Sequence, residues 1–210
     1  EWYNSSIMPW VLMPSTNTII GAFNNDDDLT ATVYVAMDQD YLYVAADVID
    51  DVYNFGAGNW WDQDALQFFI GLYDHRGPRH SAYQRGSEPD YGIVFNENEI
   101  FREPGPTTML VPTDPDYHFD GLNPDYIFEA KIPLDSIKLA EDDRFYPENG
   151  MKIAMDLYFH DNDGVWDANL AWSQFNTDPG WNNPREWHYS WIGDIPSTVI
   201  NWMMLQDHLN

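Results

Sequence analysis

The chain has 210 residues, of which 35 are Asp or Glu and 9 are Lys or Arg, and its formal charge is −26 at pH 7. A surface this negative repels the phosphate backbone of nucleic acids and the headgroups of anionic membranes, so neither is an expected partner. Cysteine is absent, which excludes disulfides, thiolate metal sites and thiol catalysis. Because 44% of the residues are hydrophobic and 16% are aromatic, the chain has ample material for a core.

Two features concern the setting of the chain. No run of about 18 apolar residues occurs, so no membrane span is predicted. The chain begins at Glu1 without a Met or an apolar leader, and we interpret it as a processed protein or a module of a larger one. Strong acidity with three Lys favours a secreted or cell-surface protein, and the alternative is an acidic cytosolic domain.

Alternation of apolar and polar residues dominates the chain. Residues 1–29 lack a clear period, and we expect an irregular segment packed on the domain that follows. Residues 30–37 and 41–49 alternate strictly, and the polar turn at 38–40 between them predicts a β-hairpin. Further strands are predicted over residues 65–72, 91–95, 126–132, 151–159, 169–173 and 187–192.

The connections between these strands are rich in Pro, Gly, Asn and Asp, as in residues 112–124. Only residues 134–140 favour a helix. The fold class is therefore all-β: an antiparallel β-sandwich of jelly-roll or immunoglobulin-like type, with long loops and at most one or two short helices. We expect one domain overall, with the sandwich over residues 30–195 and a C-terminal extension over residues 196–210.

Two loops carry tryptophan among polar residues. The first tryptophan loop, residues 59–64, contains Trp60 and Trp61, and the second tryptophan loop, residues 178–184, contains Trp181. An indole with amides and carboxylates beside it suits a sugar, because the C–H face of a pyranose stacks on an aromatic plane and its hydroxyls need hydrogen-bond partners. The alternative is that these tryptophans seal the end of the sandwich.

Four short motifs extend this hypothesis to a family. They are the hairpin at 33–44 with Asp50 and Asp51 after it, the Trp-Asp-Gln-Asp turn and strand at 61–70, the Phe-Glu-Ala-Lys-Ile-Pro-Leu segment at 128–134, and the stretch from Asp161 to Pro184. In this order the motifs resemble carbohydrate-binding modules of family 9 and their DOMON-like relatives.

The resemblance implies a calcium-containing β-sandwich that binds sugars without cleaving them and is attached to a polysaccharide-degrading enzyme. The two tryptophans that clamp the sugar in such modules match Trp61 and Trp181, and Gln67 stands where such modules carry Glu. Gly71 replaces an acidic residue of the family, and residues 92–95 lack its arginine. The expected sugar contacts are Trp60, Trp61, Asp62, Gln67, Trp181 and Asn183.

Acidic clusters offer oxygen ligands to a cation. Asp161 and Asp163 alternate before Gly164, which suits a calcium turn, although the spacing is not that of an EF-hand. With the family resemblance, the expected ligands of a structural Ca²⁺ are Asp50, Asp51, Asp64, Asp161 and Asp163. The alternative for any one acidic pair is a solvated turn.

Other functions have less support. No nucleophile elbow, P-loop or zinc motif occurs, so we expect no enzyme, although the acidic residues would permit a polysaccharide-active one. Some DOMON-type domains bind haem through Met, but Met at alternating strand positions is usually core. A protein-interaction or cell-surface domain of the same fold is the third alternative. Because the surface is negative, the expected ligand is a neutral β-glucan, xylan or agarose-like chain.

Overall fold

The computed structural model describes residues 9–55, 59–72, 90–97, 99–103, 108–109, 116–137, 143–164, 166–177 and 179–193. These residues form strands and two short helices. In chain order the elements are β1 (Trp10–Leu12), α1 (Pro14–Asn17), β2 (Thr18–Gly21), β3 (Leu29–Met37), β4 (Tyr41–Asp50), β5 (Ala65–Gly71), β6 (Asp90–Phe95), β7 (Ile100–Glu103), β8 (Thr108–Met109), β9 (Tyr117–Gly121), β10 (Tyr126–Pro133), α2 (Leu134–Ile137), β11 (Lys152–Asn162), β12 (Trp166–Ala171) and β13 (His188–Trp191).

The strands form two sheets that pack face to face. The five-stranded sheet has the order β1-β3-β4-β10-β9, and the larger sheet has the order β2-β12-β11-β5-β6-β7-β8, with β13 paired to β11. Neighbouring strands of both sheets run antiparallel. The predicted all-β sandwich with two short helices is confirmed.

The core lies between the sheets and follows the alternation of the sequence. In the β3–β4 hairpin the inward side chains include Val33 and Val44, which are fully buried and lie two residues apart in register, since Val33 pairs with Ala46. From the other sheet, Leu66, Phe68 and Ile70 of β5 point into the same core. Alternating inward residues thus give each sheet one apolar face.

Strand β5 is buried on both faces, which sets it apart from the hairpin strands. Its outward residues Ala65, Gln67 and Phe69 are covered, because Trp60 packs near Ala65 and Trp187 stacks on Phe69. Both covering residues come from the segments that carry the tryptophan loops. The outward face of the larger sheet is therefore the floor beneath both loops.

Three parts of the fold differ from the sequence prediction. The N-terminal segment is not irregular throughout, since β1 joins the five-stranded sheet and β2 joins the larger one. Strand β9 lies inside a stretch expected to be turn-rich, and neither β7 nor β8 was predicted. Residues 1–8, 138–140 and 194–210, which include the predicted C-terminal extension, lie outside the described residues. Within the described residues, no helix has the length and apolarity to cross a membrane.

Candidate functional site

A polar floor lies on the outward face of the larger sheet. The register places Gln67 of β5 opposite Tyr158 of β11, and Ala65 opposite His160. On the next strand Asn169 faces His160 and donates a hydrogen bond from Nδ2 to the Tyr158 hydroxyl at 3.0 Å. An amide, a phenol and a second amide thus share one face of three neighbouring strands.

His160 is buried at the edge of this floor. Its ring packs against Trp60 at 5.2 Å and against Tyr158 at 5.1 Å between centroids. Burial lowers the pKa of His160 to about 4, because the charged imidazolium would lose its hydration. The ring is therefore neutral at physiological pH.

The first tryptophan loop forms a 3₁₀ turn over Trp60–Asp62. Asn59 stabilises the turn, since its carbonyl accepts from the Asp62 N–H at 2.9 Å and its Nδ2 donates to the Asp62 carboxylate at 2.9 Å. Trp60 is partly buried on Phe101, while Trp61 meets it edge to face at 5.5 Å and is 47% exposed. Trp60 thus anchors the turn, and Trp61 is the indole turned to solvent.

The second tryptophan loop passes through 3₁₀ turns over Pro179–Asn182 and Pro184–Glu186. Trp181 in the first turn is 50% exposed. Trp187 beneath it is buried and stacks on Phe69 with centroids 5.1 Å apart. Asn183 donates a hydrogen bond from Nδ2 to Glu186 Oε1 at 2.7 Å.

The two loops lie above opposite ends of one strand. Trp60 packs near Ala65 and Trp187 packs on Phe69, so their anchoring points are four residues apart, or about 13 Å along β5. Gln67 lies midway on the same face and is 2% exposed. Two exposed indoles with a buried amide between their anchors form an arrangement that suits a flat, hydroxylated ligand. We call this arrangement the tryptophan groove. The role of the six predicted residues as sugar contacts stays a prediction.

A first group of three carboxylates, the inner carboxylate group, consists of Asp50, Asp64 and Asp161. All three are buried, and a ligand oxygen from each lies within 4.8 Å of the others. Burial and the neighbouring carboxylates raise the pKa of Asp50 to about 7 and that of Asp64 to about 9. Mutual repulsion of this kind is relieved by a bound cation.

Backbone donors hold the inner carboxylate group in place. Asp64 accepts from the backbone N–H groups of Asn54 at 2.6 Å and Asn162 at 3.1 Å, and the side-chain Nδ2 of Asn54 donates to the Asn162 carbonyl at 2.8 Å. The group therefore joins the end of β4, the start of β5 and the end of β11. Oδ2 of Asp50 has no hydrogen-bond partner within the described residues.

A second group, the outer carboxylate group, consists of Asp28, Asp51 and Asp163, whose ligand oxygens also lie within 4.8 Å of one another. Asp28 is buried and accepts from the Asn24 N–H, while its Oδ1 has no hydrogen-bond partner in the described part of the chain. Gly164 has φ of 97°, so the turn after Asp163 takes the left-handed conformation that glycine allows.

The two groups contain all five predicted ligands and add Asp28. Asp28, the last of three consecutive Asp at 26–28, was not among the ligands expected from the sequence. Buried carboxylate oxygens without hydrogen-bond partners are costly unless they are paired or coordinate a metal. With acceptor-only oxygen ligands in both groups, the residues fit a hard divalent cation such as Ca²⁺.

A β-sandwich whose loops hold two exposed indoles over a polar sheet face has the arrangement of a ligand-binding domain. Residues 8–189 match the model of the family described as carbohydrate family 9 binding domain-like. The chain belongs to this family. The predicted family and carbohydrate binding as the class of function are thereby confirmed.

Curated relatives are larger enzymes. The chain is 26% identical over 163 residues to endo-1,4-beta-xylanase A of Thermotoga maritima, a match that covers 77% of this chain and 14% of that protein. It is 29% identical over 158 residues to exoglucanase XynX of Acetivibrio thermocellus, covering 71% of this chain and 12% of that protein. The chain thus spans about one-seventh or less of the length of these relatives.

Solved structures share the fold. A carbohydrate binding module of family 9 from Caldicellulosiruptor kristjanssonii, in complex with glucose, aligns with a TM-score of 0.62 and 19% identity over 93% of this chain and 88% of that one. The same module in complex with cellotriose aligns with a TM-score of 0.62 and 19% identity over 95% and 88%.

Proposed function

We propose that this domain binds a neutral glycan in the tryptophan groove, with the indoles of Trp61 and Trp181 stacking on the sugar. The observation that carries the proposal is the exposure of both indoles on loops anchored over one polar face. Gln67 supplies the amide nearest the middle of that face, and Trp60, Asp62 and Asn183 support or flank the two indoles.

The expected affinity is modest. Each aromatic stack contributes roughly 0.5–1.5 kcal/mol beyond area burial, so two stacks with a few hydrogen bonds correspond to a Kd between about 1 mM and 1 μM. Weak binding of this kind serves a module that keeps a larger protein near a polymer, where many identical sites lie in reach.

The ligand class follows from charge and from the relatives. A charge of −26 disfavours anionic glycans such as alginate unless a cation bridges them or salt screens the field. The similar solved structures hold glucose and cellotriose, and the relatives are named as a xylanase and an exoglucanase. A β-linked glucan or xylan is therefore the first choice, with agarose-like chains as further candidates.

We also propose that each carboxylate group holds one Ca²⁺. The support is the fit described above: each group offers three carboxylate oxygens within 4.8 Å of one another, from three buried residues in the inner group and from buried Asp28, partly buried Asp163 and exposed Asp51 in the outer group. The inner carboxylate group includes Asp64, two residues after the Trp60–Asp62 turn. A bound cation would neutralise these carboxylates and fix the start of β5, and with it the first tryptophan loop.

The domain itself is proposed to be non-catalytic and to act within a secreted, multidomain polysaccharide-degrading protein. The support is the family, which is one of binding domains, and the small share of the enzyme relatives that the chain spans. Polymers too large to enter a cell require such a protein outside it.

Affinity gel electrophoresis tests this function. Gels that contain soluble mixed-linked β-glucan or xylan should retard the domain, whereas gels with alginate should not. Product release from the same polymers is measured in parallel. Unretarded migration in every neutral glycan would contradict the proposed function, and release of reducing ends would contradict the non-catalytic assignment.

A further inference from the structure

A buried carboxylate lies beneath the second tryptophan loop, outside both carboxylate groups. Asp156 is on the outward face of β11, opposite Phe69, and is fully buried. Its Oδ1 accepts from its neighbour Leu157 N–H at 2.9 Å and from Ser173 N–H at 2.8 Å, and its Oδ2 accepts from Asn176 Nδ2 at 3.0 Å. A buried carboxylate is costly, and here three donors offset that cost.

Asn176 links Asp156 to the second tryptophan loop. It is buried, and its Oδ1 accepts from the Gly180 N–H at 3.3 Å. A Cβ on Gly180 would overlap the Asn176 side chain, so only glycine permits this close approach. On its other side, the Gly180 carbonyl accepts from Trp187 Nε1 at 2.8 Å. The residue before Trp181 is thus held from both sides.

These hydrogen bonds allow only one orientation of the Asn176 side-chain amide. An ionised carboxylate is acceptor-only, so Asn176 must turn its NH₂ group toward Asp156 and its carbonyl oxygen toward Gly180. In the reverse orientation the amide oxygen would face the carboxylate, and NH₂ would face the Gly180 N–H. Each of those contacts is repulsive.

We propose that Asp156 is the positioning residue for Trp181, acting through the orientation of the Asn176 amide on the Gly180 backbone. This inference rests on the proposed function, in which Trp181 contacts the sugar. No part of it requires Asp156 to touch the ligand.

The charge state of Asp156 gives the arrangement a pH dependence. Burial, together with the negative charge of Glu186 in the Pro184–Glu186 turn, raises the pKa of Asp156 to about 7, against the three donors that lower it. Protonation converts an acceptor into a donor, which favours the reverse orientation of Asn176. Sugar affinity is therefore expected to fall as the pH drops below about 7.

A side-chain exchange tests the proposal. Asp156→Asn places two amide NH₂ groups against each other, while the double variant Asp156→Asn with Asn176→Asp restores a donor facing an acceptor and still accepts from Gly180 N–H. The first readout needs no sugar: amide hydrogen exchange of Gly180 by NMR, corrected for the intrinsic rate. The second is cellotriose affinity by calorimetry.

In Asp156→Asn we expect Gly180 to exchange about tenfold faster and cellotriose to bind about tenfold more weakly, with both recovering in the double variant, as expected for one charged-group hydrogen bond. Unchanged Gly180 exchange and affinity in Asp156→Asn would overturn the proposal, as would a folded double variant without recovery.

If Asp156→Asn does not fold, hydrogen exchange of the wild type alone tests the proposal. Protection of Gly180 should then decrease between pH 8 and pH 5.5, and constant protection would overturn the proposal. A wild type that binds no sugar but shows the Gly180 response defeats the proposed function and leaves this arrangement intact. Sugar binding without that response defeats only the present inference.

Discussion

Removal of Ca²⁺ is expected to destabilise the domain by an amount that depends on the ratio of the Ca²⁺ concentration to its Kd. A cation that binds the folded state alone stabilises it by about 2.7 kcal/mol at a concentration 100 times its Kd. For a domain of about 200 residues, each kcal/mol changes the Tm by roughly 2–4 °C, so one Ca²⁺ at this excess should raise it by about 5–11 °C. Differential scanning calorimetry with Ca²⁺ or with a chelator measures this shift.

Two matched variants assign the effect to a site. Asp50→Asn removes a buried ligand of the inner carboxylate group, so the calcium-dependent shift should fall by about half if each group holds one ion. Asp120→Asn removes the same charge from an exposed position on β9 and should leave the shift unchanged. Equal Tm values in Ca²⁺ and chelator, with no bound calcium by equilibrium dialysis, would refute the reasoning.

Three further predictions concern the core and the second tryptophan loop. Phe68→Ala should lower the free energy of unfolding by about 3–5 kcal/mol in urea titrations, because Phe68 is fully buried between the sheets, whereas the exposed Ile49→Ala should change it by less than about 0.5 kcal/mol. Gly180→Ala should lower it by about 1–3 kcal/mol, since the added Cβ overlaps Asn176, and an unchanged value would show that the loop yields there. Because the pKa of Asp156 is raised from 3.8 to about 7, its contribution to the free energy of unfolding is present below pH 4 and is lost as the pH rises through 7. The loss amounts to up to about 4 kcal/mol. Asp156→Asn should lack this part of the pH dependence, and parallel curves of unfolding free energy against pH for the two proteins would contradict the prediction.

The regular strands were predictable because alternation reports which residues face the core. The hairpin of β3 and β4 was predicted to within one residue at each end. Strand β9 was missed because its neighbours are Pro and Asp, which usually mark turns, and because an edge strand pairs on one side only. The N-terminal strands are short and pair with residues far along the chain, which no local period reveals.

Part of the candidate site could be predicted from the sequence. Asp50 with Asp51 and Asp161 with Asp163 are close in sequence, so their spacing and the family resemblance predicted them as ligands, whereas their division into two groups depends on the fold. The residue pattern alone does not show which of the adjacent Trp60 and Trp61 is exposed, because their burial depends on the direction of a 3₁₀ turn; only the family resemblance favoured Trp61.

The hydrogen bonds around Asp156 could not be predicted from the sequence. Its partners Ser173 and Asn176 lie 17 and 20 residues away, and a lone Asp on a strand gives no signal in the sequence.

The tryptophan groove is tested most directly by titrating cellotriose into the wild type, Trp61→Ala, Trp181→Ala and Tyr146→Ala by calorimetry. Tyr146 is an exposed aromatic residue beside Arg144 and serves as the matched control. We expect each tryptophan variant to bind at least about tenfold more weakly, at an unchanged Tm, while Tyr146→Ala binds as the wild type does. Wild-type affinity in both tryptophan variants would contradict the account.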